Sequence, residues 1–161
     1  MQKIYKLTDE KGQTKNNTQW GEGITHSGTG EGPICSKGWI HAYTSPYLAV
    51  LLNPIHAGFE NPQLWEAEGS ISLSDNGLKV GCLSLTIINQ ITIPIVSKEQ
   101  RTYFAIKCAL EVYKDSKFKE WAEKWISGKD RSESAAWSAR SAARSAAEYA
   151  ARSAAWSAAK L

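Results

Sequence analysis

The 161-residue sequence predicts an α+β protein: a small, mostly antiparallel sheet with one short inserted helix, then two amphipathic helices and a long Ala-rich C-terminal helix. Three observations carry this. Strand-length apolar segments follow one another up to residue 96, with one helical segment among them. From Ser97 the apolar spacing changes to steps of three and four residues, the period of a helix. From Asp130 onward the chain is mainly Ala and Ser without Gly or Pro. Strands in succession followed by helices in succession belong to α+β folds, whereas alternating βα units build parallel sheets. The implied organisation is a β-rich domain over 1–96, a helical pair over 97–128 packed on it, and a repeat helix over 130–161.

Lys3–Thr8 reads as a first strand and Asp9–Asn17 as a polar loop. Gln19–Ser27 is a weak strand broken by Gly21 and Gly23, and Gly28–Pro33 is a flexible connection. Successive glycines can form an anion-binding nest. A phosphate loop, however, leads from a strand into a helix, and this one leads into a further strand, Ile34–Thr44. Ser45 is placed to cap a helix that Pro46 opens. That helix, 46–53, is nearly all apolar and therefore expected to be buried, with Asn53-Pro54 as its stop. Ile55–Asn61 is a loop, and Gln63–Ser72 is a half-buried strand that sends Glu66 and Glu68 to one side. Asp75-Asn76-Gly77 is a tight turn, followed by strands over Leu78–Leu85 and Thr86–Ile95, the latter at an edge because of Pro94.

Ser97 and Gln100 form a capping box. Tyr103, Ile106, Leu110 and Tyr113 then make one apolar stripe up to about Lys114. Asp115 or Ser116 caps the next helix, whose buried face is Phe118, Trp121, Ala122, Trp125 and Ile126, and Gly128 ends it. Asp130 and Glu133 make another capping box for the tail, which repeats every four residues. Each such repeat advances about 400° on a helix, so its bulky residues drift around the axis and no face is strongly apolar. The small residues permit close helix–helix approach, and Ala135, Ala139, Ala142 and Ala146 follow a heptad-like spacing. Self-association through this helix is the expectation, against docking on the Trp121/Trp125 helix or a free arm for a partner. The tail residues placed to make those contacts are Trp137, Arg140, Arg144, Tyr149, Arg152 and Trp156.

The net charge of +3 lies wholly in residues 129–161, which carry six basic and three acidic side chains. A neutral domain with a weakly basic arm lacks the dense stripe of nucleic-acid binders. Cys35, Cys82 and Cys108 are odd in number and widely spaced, which suits buried free thiols in a reducing compartment. The opening residues show no secretory pattern, and no stretch reaches the roughly 20 apolar residues of a membrane span.

Candidate ligand- or partner-binding residues gather around the inserted helix. They are Trp39, His41 and Tyr43 on one strand face, Thr44 and Ser45 at the helix start, His56 after it, and the paired Glu66 and Glu68. There is no H-x-x-x-H, C-x-x-C or G-x-S-x-G, so neither a metal site, a cofactor nor a catalytic residue is expected.

Two resemblances bear on function. Tyr5 on the first strand, Tyr43-Thr44-Ser45 before a short helix, and an apolar strand after it resemble the NAD-binding half of ADP-ribosyltransferases. Glu66-x-Glu68 looks like their Glu-x-Glu pair. It stands in the strand directly after the helix, not near the end of the fold, and Lys3, Tyr5 and Lys6 occupy the first strand where an Arg or His is expected. Lys3–Asp9, Cys35–His41, Leu51–Ala57, Leu64–Gly69, Glu99–Tyr113 and the tail from Ser132 resemble uncharacterised phage and prophage accessory proteins, over nearly the whole chain. That likeness implies a viral gene product in the host cytoplasm and assigns no catalytic residue. The expected function is a non-enzymatic interaction protein that blocks or sequesters a host defence component, a host protein or a nucleotide, as a homo-oligomer. The alternatives are an NAD- or nucleotide-acting enzyme, a sponge for a nucleotide signal, and a structural part of the virion.

Overall fold

The computed structural model describes residues 1–132. The expected C-terminal helix and its residues Trp137, Arg140, Arg144, Tyr149, Arg152 and Trp156 lie outside the described residues. The fold is α+β, with a mostly antiparallel sheet and three α-helices among the described residues. The chain divides at Val96/Ser97 into two compact units.

In the first unit, strands β1 (Gln2–Thr8), β2 (Gln13–Thr14), β3 (Thr18–Gln19), β4 (Thr25–Ser27) and β5 (Ile40–Ala42) precede helix α1 (Pro46–His56). Strands β6 (Gln63–Asp75) and β7 (Lys79–Ile91) follow as one long hairpin. Its turn is the expected one: Asn76 and Gly77 have φ of 46° and 81°, the pair of positive angles that matches the twist of two hairpin strands. β1 pairs with β6, β6 with β7, and β7 with both β4 and β5. Just past β5, Tyr43 exchanges backbone hydrogen bonds of 2.8 and 2.9 Å with Tyr5 of β1. The circuit β1–β6–β7–β5–β1 therefore closes on itself. Register shifts along β6/β7, at Glu66/Ala67 and on either side of Ile71, bend the hairpin enough for this. Closure also disposes of an edge that an open sheet would leave unpaired. Ile4, Trp20, Ala42, Trp65, Ala67, Val80, Cys82, Leu85 and Ile87 fill the interior.

Several elements differ from expectation. The strand expected over Ile34–Thr44 shrinks to Ile40–Ala42, because Ile34–Gly38 fold into turns. Those turns are packed backbone to backbone: a Cβ on Gly38 would lie 2.0 Å from the Glu31 carbonyl oxygen, and one on Gly28 would lie 2.2 Å from the Gly38 oxygen. Gly28 and Gly38 thus serve close chain crossing. Gln19–Ser27 is two short strands, and the polar loop 9–17 contains β2 and a 3₁₀ turn at Lys15–Asn17. The expected strands Leu78–Leu85 and Thr86–Ile95 are one strand that ends at Ile91, before Pro94. Asn53-Pro54 does not stop α1. Pro54 costs the last turn a single backbone donor, and Asn53 offsets it: its carbonyl accepts from Ala57 and Gly58, and its amide side chain bridges both backbone groups of Phe59. Nor is α1 buried throughout; Ala49, Val50 and Leu52 are, whereas Tyr47 and Ile55 are exposed. Among the cysteines only Cys82 is buried.

The second unit contains α2 (Lys98–Val112) and α3 (Ser116–Ile126). The Ser97/Gln100 capping box is complete, with bonds of 3.1 and 2.8 Å, and Asp115 caps α3 by accepting from the Phe118 N–H at 2.8 Å. Ile106, Phe118, Ala122 and Trp125 form its core, with Leu110, Tyr113, Trp121 and Ile126 packed against it. Tyr103, expected on the same stripe, is exposed. Arg131 lays its guanidinium 4.8 Å from the Trp125 ring centre and donates to the Trp125 carbonyl. No described helix is long and apolar enough to cross a membrane.

Candidate functional site

A cavity of about 360 Å³ opens within the first unit, beside the place where β5 closes onto β1. Lys6 and Leu7 come from β1, Thr14 and Lys15 from the short 13–19 hairpin, His41 and Tyr43 from β5 and the residue after it. His56, Ala57 and Phe59 come from the end of α1, and Lys79 opens β7. Three lysines and two imidazoles thus share one wall with aromatic rings, and no carboxylate lines it.

Lys6 is the most constrained of these groups. The two-residue period of β1 puts it on the same face as Ile4, opposite Trp65 of β6. Only 8% of it is exposed. Its ammonium donates to the His41 carbonyl at 2.7 Å and lies 4.8 Å from the Trp20 ring centre. None of the ion pairs among the described residues involves it. Burial without a counter-charge disfavours the ammonium and pushes Lys6 down to about 8.

The two imidazoles respond to the same cluster. His41 donates from Nε2 to the Ile34 carbonyl, which orients the ring. Burial holds His41 below the ordinary histidine value; the bond to the Ile34 carbonyl opposes this, and Lys6 and Lys79 add to it. His56 is lowered by burial first, then by Lys79, with His41 adding to it and Asp75 opposing. Burial raises Tyr43 to about 12, so it stays a phenol and can donate to Nδ1 of neutral His56, 3.2 Å away. The two rings stack with centres 6.0 Å apart. Lys79 donates to the exposed Cys35 thiol at 3.1 Å. The result is a basic cavity wall without a carboxylate, electrostatically suited to an anion.

Of the residues singled out in the sequence, His41, Tyr43 and His56 meet here. The others do not line the cavity. Trp39 packs on Gly81 and donates to the Gly32 carbonyl. Thr44 is exposed, and Ser45 is occupied in capping α1 through the Tyr47 N–H. Glu66 pairs with Lys3 at 2.7 Å and Glu68 is exposed, both on strand positions of opposite parity to Trp65, which faces Lys6. The sequence therefore brings two histidines and a tyrosine together without the two glutamates once expected to join them. Lys6, Lys15, Lys79 and Phe59 are the residues that sequence reasoning passed over. For Lys6 the sequence offers only its parity with Ile4 on the first strand. No protein-family model, curated protein or solved structure matches this chain.

Proposed function

We propose that the β-rich unit binds a small anionic ligand, with a nucleotide or other phosphorylated molecule as the class that suits it, and acts by holding that ligand. The observation that carries this reading is the wall of Lys6, Lys15, Lys79, His41 and His56 around one cavity without a carboxylate. Its volume of about 360 Å³ falls in the range of small-ligand sites. Phosphate oxygens are met well by lysine point charges, and the rings of Tyr43 and Phe59 offer faces for a base. The likeness to phage accessory proteins supplies a setting, sequestration of a host nucleotide signal in the host cytoplasm. A bundle of 130–161 segments would array several such cavities.

Thermal shift with ATP and with inorganic pyrophosphate tests the reading. Both are expected to stabilise the full chain, less so as salt is raised. The double substitution Lys15→Gln/Lys79→Gln removes two charge-assisted contacts and is expected to weaken binding by about 100-fold. Absence of stabilisation by either compound, or equal stabilisation of the double variant, would refute it.

A further inference from the structure

We propose that Lys6 is a carbonyl-reactive amine, which takes an aldehyde carrying an anionic group into the cavity as a reversible imine. The inference rests on the anion-binding reading above and adds a covalent bond at one named atom.

An ordinary lysine reaches solvent or a carboxylate. Lys6 pairs with no carboxylate and is almost wholly buried: it sits on the β1 face that carries buried Ile4 and Thr8, in a cavity wall, with the His41 carbonyl as its hydrogen-bond partner. A carbonyl accepts an N–H from ammonium or amine, more strongly from the ammonium, and takes no proton itself, so it orients the nitrogen in either state. The Trp20 ring covers one side of the nitrogen, and the thiol nearest in charge terms, Cys82, is itself raised to about 11 by burial and stays neutral. With Lys6 pushed down to about 8, about a tenth of it is free amine at neutral pH, some hundreds of times the fraction for a solvent-exposed lysine. Desolvation of this kind is how lysines become nucleophiles toward carbonyls. Lys3, three residues earlier on the same strand and of opposite parity, provides the contrast: it is exposed, paired with Glu66 and shifted upward.

The step balances without an oxidant or reductant. The Lys6 nitrogen lone pair forms a C–N bond to the aldehyde carbon, and the carbonyl π pair moves to oxygen, which takes a proton. The carbinolamine then loses that oxygen as water with the remaining nitrogen-borne hydrogen, leaving C=N. Lys15 and Lys79 line the same cavity and can hold the anionic group, while Tyr43 and His56 form a hydrogen-bonded pair able to pass protons.

The probe is pyridoxal 5′-phosphate, an aldehyde with a phosphate, mixed with the full chain at pH 7 and trapped with borohydride. Intact mass and peptide mapping are expected to show one adduct, on Lys6. Labelling should be half-maximal near pH 8, and pyridoxal without the phosphate should label about tenfold less. Lys6→Arg, which keeps the charge and cannot form the imine, should remove the adduct, with circular dichroism confirming its fold. Label spread over exposed lysines in wild type and Lys6→Arg alike overturns the proposal. Binding of pyridoxine 5′-phosphate, which lacks the aldehyde, separates the two ideas. If it binds while Lys6 stays unlabelled, the imine fails and the anion site stands; if it does not bind either, both fail.

Discussion

Lys6→Met stabilises the protein at pH 7 by about 2 kcal/mol while weakening anion binding. The magnitude follows from linkage. The folded state releases the Lys6 proton at about 8, against 10.5 for the free side chain, a difference worth about 3 kcal/mol, and loss of the bond to the His41 carbonyl takes back about 1. The sign is set by the direction of the shift. Below pH 8 both states carry the proton and the fold bears the full cost of the buried charge. Between about 8 and 10.5 unfolding takes up a proton, so raising the pH stabilises the wild type. The advantage of Lys6→Met should therefore shrink across that window, reach zero within it, and become a deficit of about 1 kcal/mol above it, where only the lost hydrogen bond remains. Tyr43, raised to about 12, destabilises both proteins alike above pH 10, so the difference between them isolates Lys6. Urea unfolding at intervals from pH 7 to 10.5 makes the comparison. A destabilised Lys6→Met at pH 7 would mean that the ammonium supports the fold, and with it the case for a ligand-handling role would weaken.

Trp65→Ala should cost 3–5 kcal/mol, the range for deleting a large aromatic side chain from a packed interior. Trp65 is 7% exposed, faces Lys6 across β1/β6, and packs among Ile4, Ala67 and Ile87. Its indole N–H donates to the Thr8 hydroxyl at 3.0 Å, one of the few wholly buried side-chain bonds. Trp65→Phe separates the contributions: it keeps most of the ring and loses the bond, and about 1–2 kcal/mol is expected. Because the same side chain backs the Lys6 wall, Trp65→Ala should also weaken ligand binding even at temperatures where the protein stays folded. Denaturant midpoints followed by circular dichroism give the stability values. A loss under 1 kcal/mol for Trp65→Ala would show that the closed β1–β6–β7–β5 circuit is not held by this core.

What the sequence made readable was local. Ser45, Ser97 and Asp115 act on the next three residues, and Asn76-Gly77 sets its own two backbone angles, so each of these features sits where the residue types place it. What depends on a distant partner was not readable. Cys35–Gly38 has strand-like neighbours but no strand to pair with, and it crosses the 28–31 segment instead. Leu78–Ile91 contains nothing that breaks a strand, and only the hairpin partner β6 decides that it runs unbroken. The site divides in the same way. His41, Tyr43 and His56 are conspicuous because their side chains have distinctive chemistry. Lys15 and Lys79 are indistinguishable in sequence from solvated lysines, and only closure of β5 onto β1 gathers them around a common space. Glu66 and Glu68 failed to join because strand parity, the feature that placed them on one side, placed them on the wrong one.

The central claim, that this cavity receives an anion, is tested most directly by following the imidazole signals of His41, His56 and His26 through a pH titration by NMR, with and without pyrophosphate. Without ligand, His41 and His56 should titrate below the ordinary value of 6.5. With ligand present, the added negative charge should move both upward, by more than any change at His26, which does not line the cavity. An equal response of all three histidines, or none from His41 and His56, would contradict the account.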